Sequence, residues 1–212
     1  MDNWFAVTCN TPFSPPRPFI SSFDLELLEV SLNGTVRVNN PMTSSSCANR
    51  STGDDVLFLR SPFSFSASKN KFTAVGCDFL AYFTQDGTAI GGCMSICNGN
   101  TQERGCYGIN CCQTIIPHSL QFFGASITAV HSSNIGRGCK NVFMVDQEWF
   151  TADRTNISAV QNMDYVPVVL DWGISNGMCE LAATNGSTAN TSITFCGTNT
   201  YCSSNQSSIR DL

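Results

Sequence analysis

Twelve cysteines in a chain of 212 residues limit this sequence more than any other feature. Five of them crowd into Gly92–Pro117, GCMSICNGNTQERGCYGINCCQTIIP, beside four glycines. That stretch is too polar and too poor in aliphatic side chains to bury much, so crosslinks to the rest of the chain are expected to hold it. Cytosolic thiols are kept reduced, and this density therefore places the chain in an oxidising compartment. Zinc is the competing explanation, but zinc sites favour C-x2-C units and nearby histidines. Here the close spacings are C-x3-C, C-x4-C and a vicinal pair, with two histidines in the whole chain. Disulfides are thus expected at Cys9, Cys47, Cys77, Cys93, Cys97, Cys106, Cys111, Cys112, Cys139, Cys179, Cys196 and Cys202. Each stabilises by about 2–4 kcal/mol, mainly by restricting the unfolded chain. Vicinal cysteines seldom bond to each other because the small ring strains the peptide between them. Cys111 and Cys112 are therefore expected in two different bridges, with the pairing otherwise open.

The surrounding composition agrees with export. Six N-x-[ST] sequons, at Asn33, Asn49, Asn156, Asn185, Asn190 and Asn205, are candidate glycosylation sites and so candidate surface positions. Charged residues make up 13% of the chain, against about a quarter in an average globular protein. The net charge of −5 argues against nucleic acid, which is met by a basic stripe. No stretch of eighteen apolar residues exists, so no membrane span is expected. The N-terminus shows neither the basic nor the apolar region of a signal peptide. Secretion chemistry without an export signal reads as a piece of a longer protein.

Periodicity favours strands. Four prolines in residues 10–20 exclude a helix there. Two alternating runs between Phe23 and Val38 flank Asn33-Gly34, a hairpin signal. Strands are expected at Val56–Leu59, at Phe63–Phe65 and Phe72–Gly76 around a turn at Ala67–Asn70, and at Asp78–Thr84 before a turn at Gln85–Gly87. Further strands are expected at Leu120–Val130, Val142–Val145 and Val166–Trp172. Asp146–Phe150 and Ile157–Met163 each suit a helical turn or two. The Asn/Ser/Thr-rich residues 173–197 read as loop. The expected fold is mainly β, a disulfide-rich extracellular fold with long irregular loops and at most short helices.

No enzymatic constellation accompanies this pattern: there is no G-x-S-x-G, H-E-x-x-H or phosphate-binding loop, and no kinase signature. His118 and His131 have no nucleophile or acid at a meaningful spacing and read as ordinary surface or packed histidines. Asp54-Asp55 lacks an EF-hand frame and reads as a solvated loop. Binding chemistry remains. Arg60, Lys69 and Lys71 flank Phe63, Phe65 and Phe72. Cations recognise carboxylates, and aromatic faces suit the C–H faces of sugars, so the cluster is a candidate site for an acidic polysaccharide. The plainer reading makes the phenylalanines core and the cations solvated edge residues, and composition alone favours it.

The motifs SPFSFSASKNKFTAVGCD (61–78), GGCMSIC (91–97), GCYGINCCQTIIP (105–117), CKNVFMVD (139–146) and VPVVLDWGI (166–174) resemble the extracellular region of plant wall-associated receptor kinases. FAVTCN around Cys9, PPRPF and the Asn33-Gly34 strand pair are similar too. The resemblance implies a galacturonan-binding-like β domain over 1–97. It implies a Cys-rich β region over 98–178 packed on that domain. It also implies a linker with an incomplete EGF-like start over 179–212, where FCGTNTYC resembles such a module. The family's opening C-G…I-P-Y-P-F-G segment, which carries further cysteines, is missing, so some bridges, such as those of Cys9 or Cys47, are expected to lack their usual partners. The family's transmembrane helix and Ser/Thr kinase are missing too.

The resemblance implies a non-catalytic receptor ectodomain in the apoplast, at the plasma membrane if part of a longer chain, that binds pectin or galacturonan. The acidic pI of 4.8 fits a polyanion poorly. A local basic patch, or Ca²⁺ bridging carboxylates of protein and ligand, would reconcile the two. No resident cofactor or metal site is expected. The rival reading is an ectodomain that binds an apoplastic protein or peptide.

Overall fold

The computed structural model describes residues 3–45, 47, 57–59, 62–97, 105–130, 138–150, 157–172, 200–202 and 209–211. Strands dominate. A 3-10 turn at Asn3–Phe5 leads into β1 (Val7–Asn10), and the proline-rich stretch returns as β2 (Arg17–Ile20). Then β3 (Leu25–Ser31) and β4 (Thr35–Pro41) pair across Asn33-Gly34, as the turn signal requires; Gly34 has φ 77°. Along β4 the burial alternates, with Val36, Val38 and Asn40 inward and Thr35, Arg37 and Asn39 outward. The series continues with β5 (Thr43–Ser45), β6 (Leu57–Phe58), β7 (Phe63–Phe65), β8 (Asn70–Val75), β9 (Phe79–Gln85) and β10 (Thr88–Ser95). The cysteine-dense stretch contributes β11 (Tyr107–Ile109) and β12 (Cys111–Thr114), and β13 (Phe122–Ala129) and β14 (Lys140–Asp146) follow. One four-residue helix, α1 (Ile157–Val160), precedes β15 (Tyr165–Trp172), and β16 (Thr200–Cys202) pairs with β17 (Ile209–Asp211). The second expected helical turn is a single i→i+4 bond, Phe150 N–H to Asp146 O at 2.9 Å.

Three larger sheets carry the fold: β1-β2-β3-β4-β15-β7, β10-β9-β13-β6 and β11-β12-β8-β14-β5. Strands from both sides of residue 97 share each of them. β15 lies between β4 and β7, β13 between β9 and β6, and β8 between β12 and β14. The two stretches are thus interleaved through strand pairing. The main core lies where the three sheets meet and includes Val38, Phe63, Phe65, Phe72, Phe79, Phe83, Val142, Met144, Val168 and Leu170. Phe63, Phe65, Phe72, Phe79 and Phe83 are at most 1% exposed. Each contributes about 2–3 kcal/mol of apolar burial. A smaller cluster of Val75, Phe143, Val145, Phe150, Val160 and Val166 covers the other face of β8 and β14. That two-sided burial explains why KNVFMVD reads as a continuous apolar run rather than an alternating one.

Among the described residues four bridges form: Cys47–Cys139, Cys77–Cys97, Cys93–Cys112 and Cys106–Cys111. The vicinal cysteines enter different bridges. Two expectations need correction. Cys9 is an exposed free thiol on β1, because no cysteine among the described residues lies within bonding reach of it. Cys47, the other candidate for a missing partner, is bonded to Cys139. The Gly92–Pro117 stretch is also held differently than expected. Two of its three bridges are internal, and pairing of β12 with β8 fixes it to the sheet instead. Cys106, Cys111, Cys112 and Ile116 are buried there, so the stretch adds to the core. Cys179 and Cys196 lie outside the described residues, as does the side chain of Cys202.

Candidate functional site

The region around β7 and β8 can be built residue by residue. Phe63 meets Phe5 and Phe23 with ring centroids 5.2 and 5.3 Å apart; Phe65 meets Phe123 at 5.3 Å, and Phe72 meets Phe83 at 4.8 Å. All three rings are buried, so none can lie against a sugar, and the plainer reading of the phenylalanines as core holds. The cations are a separate matter. Arg60 lies outside the described residues. Lys71 is half-buried on β8 opposite Val145 and makes no ion pair among the described residues.

Lys69 is placed by the turn that carries the chain from one sheet to the next. Asn70 N–H donates to Ser66 O at 3.0 Å to close the turn, and Gln147 N–H donates to Lys69 O at 2.9 Å. The Gln147 side chain adds a bond from Nε2 to Ser68 O at 2.6 Å. The turn is therefore fastened to the end of β14, and Lys69 Nζ comes to 4.0 Å from Glu148 Oε1.

Beside that pair, Arg37 points outward from β4. Its Nη1 is 3.3 Å from Glu29 Oε2 on β3, and its Nη2 is 2.9 Å from Asp146 Oδ2 at the end of β14. Asp146 is buried, its side chain 2% exposed. Its Oδ1 accepts the Glu148 N–H at 2.9 Å. Oδ2 has only the charge contact with Arg37, which is not directed along an N–H, so it accepts no hydrogen bond among the described residues. Together with Ser31, Thr35 and Val169, these five charged residues line a pocket of about 140 Å³. The pocket holds three carboxylates against two cations. Removing the partner of such a buried carboxylate would leave it uncompensated. Chemically the pocket can bind and orient a polar group, and it holds no nucleophile set beside a base.

Of the sequence candidates that lie among the described residues, only Lys69 lines this pocket. Arg37, Glu29, Asp146 and Glu148 escaped sequence reasoning because they come from two distant segments, the β3–β4 hairpin and the end of β14. Alternation on β4 does mark Arg37 as outward, but nothing local separates it from a solvated strand residue. Elsewhere, Asn33 is exposed at the β3–β4 turn, while Asn49, Asn156, Asn185, Asn190 and Asn205 lie outside the described residues. His118 is exposed; His131, Asp54 and Asp55 lie outside. Among the described residues no group of three metal-ligating side chains gathers, and no helix is long and apolar enough to cross a membrane.

Residues 103–178 match the family model described as wall-associated kinase. The chain is 31% identical over 196 residues to wall-associated receptor kinase-like 4 of Arabidopsis thaliana, covering 81% of this chain and 25% of that one. The chain is related to wall-associated receptor kinases through their extracellular region. Wall-associated receptor kinase 2 and wall-associated receptor kinase 1 of the same plant are 27% and 28% identical, over 95% and 93% of this chain and 27% and 26% of theirs. The chain thus spans about a quarter of the length of the relatives it matches. No solved structure matches it. The wall-associated kinase match takes in β11 to β15 and so supplies Asp146, Glu148 and Val169 to the pocket. Glu29, Arg37 and Lys69 come from the part before it, so the pocket joins the matched region to the segment preceding it.

Proposed function

We propose that this chain is a non-catalytic, extracellular carbohydrate-binding region of a wall-associated receptor kinase or receptor-like protein. Its ligand in this reading is the acidic polysaccharide of the plant cell wall, de-esterified galacturonan or its oligomers. The kinship over four-fifths or more of the chain carries the reading, since those relatives are named for the wall. Lys71, whose ammonium has no counter-charge among the described residues, and Lys69, whose partner stands at 4.0 Å, supply candidate anchors for uronate carboxylates. Arg60 belongs to the same proposal. In this reading residues 1–97 form the sugar-binding part, 98–178 support it, and 179–212 lead away from it. Titration of the oxidised protein with oligogalacturonides, with and without Ca²⁺, tests it. Absence of binding in both conditions, from folded protein, would overturn it.

One observation favours a second reading, an ectodomain that binds an apoplastic protein or peptide: the pocket has more carboxylates than cations. Pull-down from apoplastic fluid before and after pectinase treatment separates the two. Partners that vanish with pectin count against the second.

A further inference from the structure

We propose that Asn33 carries an N-linked glycan whose first sugars cover an apolar margin that the fold leaves open. The inference rests on export and is independent of which ligand the chain binds. Of the six N-x-[ST] sequons, Asn33-Gly34-Thr35 is the one whose asparagine lies among the described residues. Asn33 is exposed in the β3–β4 turn. The backbone of that turn is tied down: the Asn33 N–H donates to Ser31 Oγ and the Trp172 N–H donates to Gly34 O, both at 3.2 Å. The acceptor asparagine thus stands on the outside of a fixed hairpin. In the transfer its side-chain nitrogen attacks the anomeric carbon of a polyprenyl-pyrophosphate oligosaccharide. The N–C bond forms, the C–O bond to pyrophosphate breaks, polyprenyl pyrophosphate leaves with the electron pair, and one amide proton passes to solvent.

Beside Asn33 the core is uncovered. β2 pairs with β3 only at Leu25 and Glu26, so over residues 27–31 the outer edge of β3 has no strand partner among the described residues. Val30 stands opposite Val36 in the β3–β4 register, so both side chains emerge on one face. Val36 is 7% exposed and Val30 is 64% exposed, so the cover of the core stops between these two strands. Leu28 and Leu32, 44% and 89% exposed, continue the margin up to Asn33. The one charge in residues 27–32, Glu29, is paired with Arg37. Bare apolar edges pair with other chains unless something blunts them, and this one carries neither lysine nor proline. A glycan rooted at the residue after Leu32 supplies the cover. The C–H faces and acetyl groups of its first sugars lie against the apolar side chains, while its hydroxyls meet water.

The full chain, secreted from plant cells behind an export signal, tests both parts. Glycopeptide mapping should find Asn33 occupied, and an unmodified Asn33 overturns the proposal. Asn33→Gln removes the acceptor at an exposed position outside the left-handed backbone region, so the hairpin should keep its fold. Its self-associated fraction in analytical ultracentrifugation should rise about fivefold or more, as burial of a single valine against another copy would give. Adding Val30→Lys and Leu32→Lys to Asn33→Gln should return that fraction to the parent's level, because a charged edge resists pairing without a glycan. Failure of this rescue, or an Asn33→Gln protein as monomeric as the parent, overturns the covering role. The triple variant Asn185→Gln, Asn190→Gln and Asn205→Gln is the control. An equal rise in it would mean solubilisation by any glycan and would overturn the covering role too. If Asn33→Gln is not secreted, peptide N-glycosidase treatment of the folded triple variant gives the same readout. None of these arms reads ligand binding, so their failure and that of the carbohydrate reading are separate results.

Discussion

Asn70 bonds Val169 as a neighbouring strand would. Its Oδ1 accepts the Val169 N–H at 2.8 Å and its Nδ2 donates to Val169 O at 2.6 Å, with a second donation to Ser66 O at 2.9 Å. Asn70 opens β8 in one sheet, and Val169 lies in β15 of another. One buried side-chain amide thus satisfies the Val169 N–H, which would otherwise be bare between the two sheets, adds a second donor to Val169 O beside Ser66 N–H, and sets the turn that carries Lys69.

Asn70→Ala should therefore destabilise the fold by about 1–3 kcal/mol, since it strands the buried Val169 N–H, while Val169 O keeps its bond from Ser66 N–H at 3.0 Å. Asn70→Asp should do no better, because it keeps the acceptor and replaces the donor with a charge in a buried place. Urea unfolding should show a lower midpoint with an unchanged slope. A midpoint within error of the parent would mean that water replaces the amide at no cost.

Arg37 and Asp146 should be strongly coupled. Removing Arg37 leaves a buried carboxylate without its counter-charge, and Arg37→Ala should cost about 2–3 kcal/mol, less than a fully buried pair because the guanidinium is one-third exposed. In the background of Asp146→Asn the same change should cost much less. A double-mutant cycle of unfolding free energies measures this, and a coupling near zero would show the contact to be incidental.

How far the sequence foretold this structure depends on the range of the interaction. The β3–β4 hairpin was legible because Asn33-Gly34 states its turn locally and β4 alternates with one face buried. The strand Lys140–Asp146 was legible as a run but not as a central strand covered on both faces, since that depends on β5, β8 and the second cluster. The phenylalanines of β7 and β8 fit either a core or a sugar-stacking face until Phe5, Phe23, Phe83 and Phe123 were seen against them. The pocket was illegible for the same reason: Glu29, Arg37, Lys69 and Asp146 share no spacing and meet only through sheet order. Disulfide partners were likewise beyond spacing, since Cys47 and Cys139 stand 92 residues apart.

Those two cysteines give a third prediction. In the chain-entropy picture a bridge spanning 92 residues contributes about 4–5 kcal/mol, and one spanning 5 residues about 2. Replacing Cys47 and Cys139 together by Ser should lower stability by roughly twice as much as replacing Cys106 and Cys111 together. Non-reducing peptide mapping should first confirm Cys93–Cys112 and Cys106–Cys111 as separate bonds. A direct Cys111–Cys112 bond would contradict the fold around β12.

Gly76 follows β8 with φ +129°, and a Cβ there would stand 2.8 Å from the carbonyl oxygen of Cys139. The Cys139–Lys140 backbone and the buried Phe79 ring around it leave no flexible neighbour to yield. Gly76→Ala should cost about 2–3 kcal/mol from strained conformation and close contact together. Gly87, at φ +76° with nothing within 4 Å, is the control: Gly87→Ala carries only the conformational part, about 1 kcal/mol. Equal costs at the two positions, read from thermal unfolding, would mean that the Cys139 contact relaxes freely.

The last prediction concerns the polysaccharide. A protein of net charge −5 that binds a polyanion must do so through local cations or through an intervening divalent ion. Lys71 favours the first, because its ammonium is uncommitted among the described residues while Lys69 shares Glu148 at 4.0 Å. Lys71→Gln should therefore weaken oligogalacturonide binding more than Lys69→Gln, by several-fold against about twofold, each lost exposed contact being worth up to about 1 kcal/mol. Binding should persist in EDTA, and it should fall as NaCl rises from 50 to 200 mM, a range in which the screening length shortens from about 14 to 7 Å. If EDTA abolishes binding and Lys71→Gln leaves it unchanged, the contact runs through Ca²⁺ and carboxylates, and Lys71 is an ordinary edge residue.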